Sequence, residues 1–116
     1  MVVASTGMPL SPELQRALGN YKSRLLERFG NRLERVALFG SRARGDAHED
    51  SDVDVLVLIH GASGLEEREA AQLAGDVAVQ DGVWLSPAVY SAEHYAYLKR
   101  IASPFAQSLE REQRPL

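Results

Sequence analysis

The sequence predicts a small domain of the α/β (α+β) class, in which a mixed β-sheet packs against helices. Three observations favour this class. Two apolar strand patterns flank a polar segment, residues 41–50; a helix pattern precedes them; and a third strand pattern follows a helical crossover. A chain of 116 residues suits one core. We therefore expect residues 11–116 to form a single domain behind a flexible lead, residues 1–10.

The first predicted element is an amphipathic helix that begins after Ser11 and ends at Gly30. Ser11 suits the N-cap, and Pro12 suits the first helical position, because the N–H that proline lacks would be unbonded there. Apolar residues then recur at spacings of three and four, as one buried helix face requires: Leu14, Leu18, Tyr21, Leu25 and Phe29. Gly30 is placed to end the helix.

Two strand patterns follow this helix. Residues 36–39 are short and apolar and run into Gly40, while residues 51–59 are the strongest strand pattern in the chain. The second half of the longer pattern is apolar on both faces, which predicts a central strand covered on both sides. An antiparallel pairing would place the end of the first strand beside the start of the second.

The next helix pattern covers residues 65–79 and ends before a turn at residues 81–82. A strand from Val83 toward Tyr90 is predicted after it, and a helical crossover of this kind favours a parallel strand pairing. Pro87 lies within the strand pattern. Because proline cannot donate to a sheet ladder, it favours an edge strand or a bulge.

Two short helices are predicted at the end of the chain. Ser91 is placed to cap the first of them, and Pro104 is placed to begin the second. The charged residues 110–114 are interpreted as the solvated end of the last helix.

The composition is that of an ordinary soluble globular protein, with 45% hydrophobic and 25% charged residues. The net charge of -3 argues against a dedicated nucleic-acid surface, which normally carries a basic surplus. Cysteine is absent, which excludes a disulfide framework, a thiolate metal site and a cysteine nucleophile, and fits a cytoplasmic protein. No apolar run approaches the roughly 20 residues that span a bilayer, so no membrane role is expected.

The segment from Gly40 to Asp54 carries most of the functional information. Gly40 and Ser41 end the first strand pattern, and after ten further residues Asp52 and Asp54 open the second. Alternate strand residues share a face, so the two carboxylates can point at one cation. Glycine allows close backbone approach, and the turn can offer N–H groups and a hydroxyl to phosphate. A phosphate cradle beside a divalent-metal site is what nucleotide transfer from a nucleoside triphosphate requires.

This pattern of Gly-Ser, ten residues and Asp-x-Asp between apolar strands resembles the nucleotidyltransferase superfold shared with DNA polymerase beta. It is most similar to the minimal nucleotidyltransferase (MNT) proteins of bacteria and archaea. The resemblance covers nearly the whole chain, so residues 11–116 are expected to be one minimal nucleotidyltransferase domain.

The resemblance implies roles for specific residues. It assigns the triphosphate tail to Gly40 and Ser41, and it assigns Mg²⁺ (or Mn²⁺) and catalysis to Asp52 and Asp54. Two cationic residues in the following segment lie outside the defining pattern but can steer phosphate by their charge, namely Arg42 and Arg44.

The resemblance also implies an activity and a partner. The activity is transfer of a nucleoside monophosphate, AMP foremost, from ATP or another nucleoside triphosphate to an acceptor hydroxyl. MNT proteins typically pair with a HEPN-domain protein, which implies an antitoxin role in which a tyrosine of the partner is the acceptor.

A third carboxylate normally comes from a later strand in active members of the superfold. The pattern from Val83 to Tyr90 contains no acid, and the resemblance implies that Ser86 stands where that acid is often found. A second interpretation therefore stays open, in which the chain is a catalytically degenerate antitoxin module that binds a nucleotide or a partner without turnover.

Other conspicuous side chains are interpreted as structural. The histidines have no mutual spacing typical of a metal cluster, and we expect them in loops or on helix surfaces: His48, His60 and His94. The larger aromatic residues of the second half favour core or partner-contact positions over a base-stacking platform: Trp84, Tyr90, Tyr95, Tyr97 and Phe105.

Overall fold

A computed structural model of the chain describes residues 10–40, 43 and 52–116. Residues 1–9 of the predicted lead, together with Ser41, Arg42 and Arg44, lie outside the described residues. The elements in chain order are α1 (Pro12–Phe29), a 3-10 turn (Gly30–Arg32), β1 (Leu33–Phe39), β2 (Val53–Ile59), α2 (Gly64–Asp81), β3 (Leu85–Ser91), α3 (Ala92–Arg100), α4 (Pro104–Glu112) and β4 (Arg114–Pro115). In the described part of the chain, no helix has the length and apolar character of a membrane span.

The strands form one mixed sheet in the order β3-β2-β1-β4. Strands β1 and β2 are antiparallel, whereas β2 and β3 are parallel and joined through α2. Both pairings confirm the sequence prediction, and so does the position of β3, with Pro87, at an edge of the sheet. The antiparallel pairing brings the end of β1 to the start of β2, so that Gly40 lies beside Asp54.

Helices cover both faces of the sheet. The first core joins α1 and α2 to one face, and the second core joins α3 and α4 to the other face. Alternate residues of β2 contribute to the two cores, and the five residues from Val55 to Ile59 are all fully buried. The predicted central strand covered on both sides is therefore confirmed.

A buried hydroxyl links the two helices of the first core. Tyr21 of α1 is fully buried and donates a hydrogen bond of 2.8 Å to the carbonyl oxygen of Ala70 in α2. Burial raises the pKa of Tyr21 above its usual range, so the hydroxyl keeps its proton. The tyrosine thus fixes α1 against α2 by a directed bond as well as by apolar contact.

We expect Tyr21→Phe to lower the free energy of unfolding by about 1 kcal/mol, because the ring is kept and one buried hydrogen bond is lost. Urea unfolding followed by circular dichroism measures this change. Tyr97→Phe is the matched control, since Tyr97 is 47% exposed and should change stability by less than about 0.5 kcal/mol. Equal effects of the two substitutions would contradict this account of Tyr21.

Helix α2 begins with a capping box. The Ser63 hydroxyl accepts from the Glu66 N–H, and the Glu66 carboxylate accepts from the Ser63 N–H. Arg32 donates to the same carboxylate at 2.7 Å, and this hydrogen bond, aided by the Ser63 N–H, lowers the pKa of Glu66 to about 2. The helix is longer than predicted at both ends, because its caps lie at Ser63 and Gly82.

The interpretation of residues 110–114 as a solvated helix end is wrong in part. Helix α4 ends at Glu112, and Arg114 then pairs with β1 as the start of β4. Glu110 accepts hydrogen bonds from Tyr95 at 2.7 Å and from Arg35 at 2.9 Å. These contacts attach the end of the described chain to the sheet and to α3.

Candidate active site

Gly40 lies against a carboxylate at the head of β2. Phe39, the last residue of β1, pairs with Asp54, so the chain turns out of β1 directly beside that aspartate. A Cβ atom placed on Gly40 would lie 2.5 Å from Asp54 Oδ2, well inside van der Waals contact. The φ angle of Gly40 is +73°, a left-handed conformation that glycine adopts readily. Both the backbone conformation and the space therefore require glycine at this position.

A backbone hydrogen bond joins Gly40 to Ala43. The Ala43 N–H donates to the Gly40 carbonyl at 3.1 Å, and the Ala43 side chain is buried in the first core. This contact anchors one residue of the segment that the sequence assigns to phosphate binding. Ser41, Arg42 and Arg44, which the sequence also assigns there, lie outside the described residues, and their phosphate-binding role stays a prediction.

Asp54 lies on the face of the sheet that carries α3 and α4. Its neighbour Val53 packs in the first core, whereas Leu56, two residues further along β2, packs in the second. Strand alternation thus directs Asp54 toward the second face, where its pairing partner Phe39 packs against the second core. Asp54 is half-buried, and Asp52, one residue before β2, is exposed. Alternation predicts the same face for Asp52.

Ser86 is the residue of β3 that stands beside Asp54. The parallel register pairs the two residues, and paired residues on neighbouring strands, about 4.8 Å apart, share a face. Ser86 is exposed. Within residues 10–40, 43 and 52–116, no group of three or more His, Cys, Asp or Glu side chains is arranged to hold a metal ion. The register therefore sets a serine directly beside Asp54. That this is the position of the superfold's third carboxylate stays a prediction.

The donor set fits Mg²⁺ when a nucleotide supplies further ligands. Asp52 and Asp54 offer hard carboxylate oxygens, which Mg²⁺ prefers, and Mg²⁺ in phosphoryl-transfer sites usually takes one or two carboxylates together with substrate phosphates and waters. Because Gly40 has no Cβ, its partly exposed backbone can lie directly beside the Asp54 carboxylate. The residues therefore match a metal–triphosphate complex better than a metal held by protein alone.

We expect Ser86→Asp to bind Mn²⁺ about tenfold more tightly in the presence of a non-hydrolysable ATP analogue, because a third carboxylate would join the ligands at Asp54. Electron paramagnetic resonance of free Mn²⁺ measures the affinity. Ser86→Asn is the matched control, since it has a similar size without the charge. An unchanged affinity in Ser86→Asp, or an equal gain in both variants, would contradict the placement of position 86 beside the metal.

The histidines that the structure describes lie away from this end of the sheet. His60 follows the last residue of β2, and its Nε2 atom lies 2.9 Å from Glu34 Oε1. Glu93 is on its other side and accepts from the Gly61 N–H at 2.8 Å, a bond that lowers the pKa of Glu93. His94 lies on α3, and its ring stacks on the ring of Tyr90 in β3. His48 lies outside the described residues.

The sequence matches the nucleotidyltransferase domain family over residues 18–101. The chain belongs to this family. A candidate protein adenylyltransferase of Methanocaldococcus jannaschii is 34% identical to this nucleotidyltransferase over 67% of the chain and 80% of the relative. The protein adenylyltransferase MntA of Thermococcus cleftensis is 51% identical over a shorter stretch, 39% of the chain and 43% of the relative.

Solved structures agree with the fold of this nucleotidyltransferase. A candidate minimal nucleotidyltransferase superposes with a TM-score of 0.59 and 32% identity, over 95% of this chain and all of that one. A toxin–antitoxin structure with AMP-PNP superposes with a TM-score of 0.54 and 22% identity, over 83% of this chain and 69% of that one. The resemblance to minimal nucleotidyltransferases and the mixed-sheet fold class are thereby confirmed.

Proposed function

We propose that this nucleotidyltransferase transfers AMP from Mg²⁺-bound ATP to a hydroxyl group of a protein. The observation that carries the proposal is the close approach of the partly exposed Gly40 to the Asp54 carboxylate at the head of β2. Triphosphate and metal binding need these two groups together. The names of the relatives as protein adenylyltransferases support AMP as the transferred group and a protein as the acceptor.

The reaction replaces one oxygen at the α-phosphorus by another. The acceptor oxygen forms a bond to the α-phosphorus, the bond to the bridging oxygen breaks, pyrophosphate leaves, and the hydroxyl proton is released to water. Mg²⁺ in such a site neutralises the phosphate charge and stabilises the attacking and leaving oxygens. Asp52 and Asp54 would hold and orient the metal-bound triphosphate, and the Gly40–Ser41 backbone would bind its phosphates. Arg42 and Arg44 would attract the anionic tail.

Ser86 supports a second candidate function. Ser86 is in register with Asp54, and the resemblance implies a carboxylate at this position in active members. Without that carboxylate, metal binding would be weaker and a general base would be lost. In that case the chain would be an antitoxin module that binds a nucleotide or a partner without turnover. For both functions we propose a partner protein, of the HEPN-domain type that the resemblance implies.

Label transfer separates the two functions. The chain is incubated with its co-expressed gene neighbour, MgCl₂ and ATP labelled on the α-phosphate, and protein-bound label is measured after gel electrophoresis. Label on the γ-phosphate is the matched control, because it leaves with pyrophosphate. Incorporation from α-labelled ATP alone supports transfer of AMP. If neither label is incorporated although a non-hydrolysable ATP analogue binds, the second function is supported.

A further inference from the structure

We propose that Trp84 contacts the acceptor in this reaction and helps to determine which acceptor is used. The inference rests on the proposed function and adds a residue to it. Trp84 is 78% exposed, although it is the largest apolar side chain in the sequence. A buried core position is thus excluded for it, and its exposed ring is available for binding at the head of β3.

Trp84 lies at the same end of the sheet as the aspartates. The parallel register of β2 and β3 begins with the pair Val53 and Leu85, so the residues that directly precede this pair are Asp52 and Trp84. Val83 and Leu85 both pack against the first core. Alternation therefore sends the intervening indole to the opposite face, where Asp54 and Ser86 lie.

The sheet order places Trp84 on the acceptor side of the aspartates. Strand β2 lies between β1 and β3, so Gly40 and Trp84 are on opposite sides of the strand that carries Asp54. In-line displacement requires the attacking and leaving oxygens on opposite sides of the phosphorus. If the phosphate tail lies along Gly40 beside β1, pyrophosphate leaves toward β1 and the acceptor enters from β3.

The chemistry of the β3 edge favours recognition by side chains. Pro87 has no N–H, which interrupts main-chain pairing along this edge strand. An exposed indole offers a large, rigid apolar surface with one N–H donor, and it binds flat side chains with little loss of conformational entropy. The acceptor group that suits Trp84 is therefore a flat side chain at or beside the reacting hydroxyl.

The test uses Trp84 as its own probe, because it is the only tryptophan in the sequence. Calorimetry first compares binding of Mg²⁺ with α,β-methylene-ATP to the wild type and to Trp84→Ala. We expect the two dissociation constants to agree within about twofold, since a group on the acceptor side does not contact the nucleotide. The nucleotide-saturated proteins are then titrated with acetyl-Gly-Tyr-Gly-amide and with acetyl-Gly-Ser-Gly-amide.

We expect the tyrosine peptide to change the Trp84 emission saturably and more strongly than the serine peptide. By peptide NMR, Trp84→Ala should bind the tyrosine peptide about fivefold more weakly than the wild type, and Trp84→Phe should retain most of the affinity. Leu65→Ala is the matched control. Leu65 is 65% exposed but lies in the first turn of α2, beyond the opposite end of β2, and the substitution should change nothing.

Each contrary outcome identifies what fails. If the wild type does not bind the nucleotide analogue, both the proposed function and the role of Trp84 are overturned. If Trp84→Ala binds the nucleotide analogue about tenfold more weakly, Trp84 stacks on the nucleotide base. The acceptor role of Trp84 is then overturned, and the proposed function is not. Two further outcomes would overturn the acceptor role of Trp84 and leave the proposed function standing. In the first, the wild type binds the nucleotide but shows no saturable response to the tyrosine peptide. In the second, Trp84→Ala binds the tyrosine peptide as tightly as the wild type.

Discussion

Asp54→Asn is expected to lower label transfer by about three orders of magnitude, because the loss of one metal ligand removes several kcal/mol of stabilisation from the reacting phosphate. The amide keeps the size of the carboxylate and loses its charge. Asp54 is half-buried beside Gly40, and we expect asparagine to fit the same space. Initial rates with α-labelled ATP measure the effect, and thermal unfolding followed by circular dichroism shows that the fold is retained.

Asp76→Asn is the matched control for this loss. Asp76 is exposed on α2, which covers the face of the sheet opposite to Asp54, and the substitution makes the same chemical change. It should leave the rate within about twofold of the wild type. If the Asp54→Asn protein is folded and keeps the wild-type rate, the proposed role of Asp54 in catalysis is contradicted. If the wild type itself is inactive but still neutralises its partner, the binding-module function is favoured.

The sequence predicted the pairing that builds the candidate site because the signals were local. An apolar run that ends in Gly40 and another that starts after Asp52 can bring the two ends together only if the strands are antiparallel, as observed. The burial of both faces of β2 was predictable because apolar residues occupy both its odd-numbered and its even-numbered positions. The helical crossover also predicted that β3 is parallel to β2, whereas the register that pairs Ser86 with Asp54 comes from the structure.

Contacts between residues distant in sequence were not predictable in this way. Strand β4 has only two residues, one of them proline, so no periodicity marks it. The bonds that Glu110 accepts from Tyr95 and Arg35 depend on how α4 packs across the sheet. The exposure of Trp84 likewise depends on which faces the helices cover at the end of β3, and the aromatic residue alone favoured the core or a partner surface.

Gly40→Ala is expected to destabilise the protein by about 2 to 3 kcal/mol and to abolish binding of the nucleotide analogue. Two effects add in this variant. Alanine is strained at a φ of +73°, and its Cβ would meet Asp54 Oδ2 at 2.5 Å, so either the turn or the carboxylate must move. Urea unfolding measures the first consequence, and calorimetry with Mg²⁺ and α,β-methylene-ATP measures the second.

Gly82 separates the strain from the clash. Its φ is +71°, and a Cβ there would meet nothing within 4 Å. Gly82→Ala should therefore cost only the backbone strain, about 1 kcal/mol, and leave nucleotide binding unchanged. Combining Gly40→Ala with Asp54→Ala removes the opposing oxygen, and the stability cost of the alanine at position 40 should then fall to that of Gly82→Ala. Because a double-mutant cycle isolates the interaction between two residues, a coupling below about 0.5 kcal/mol would show that Gly40 and Asp54 are not in contact in solution.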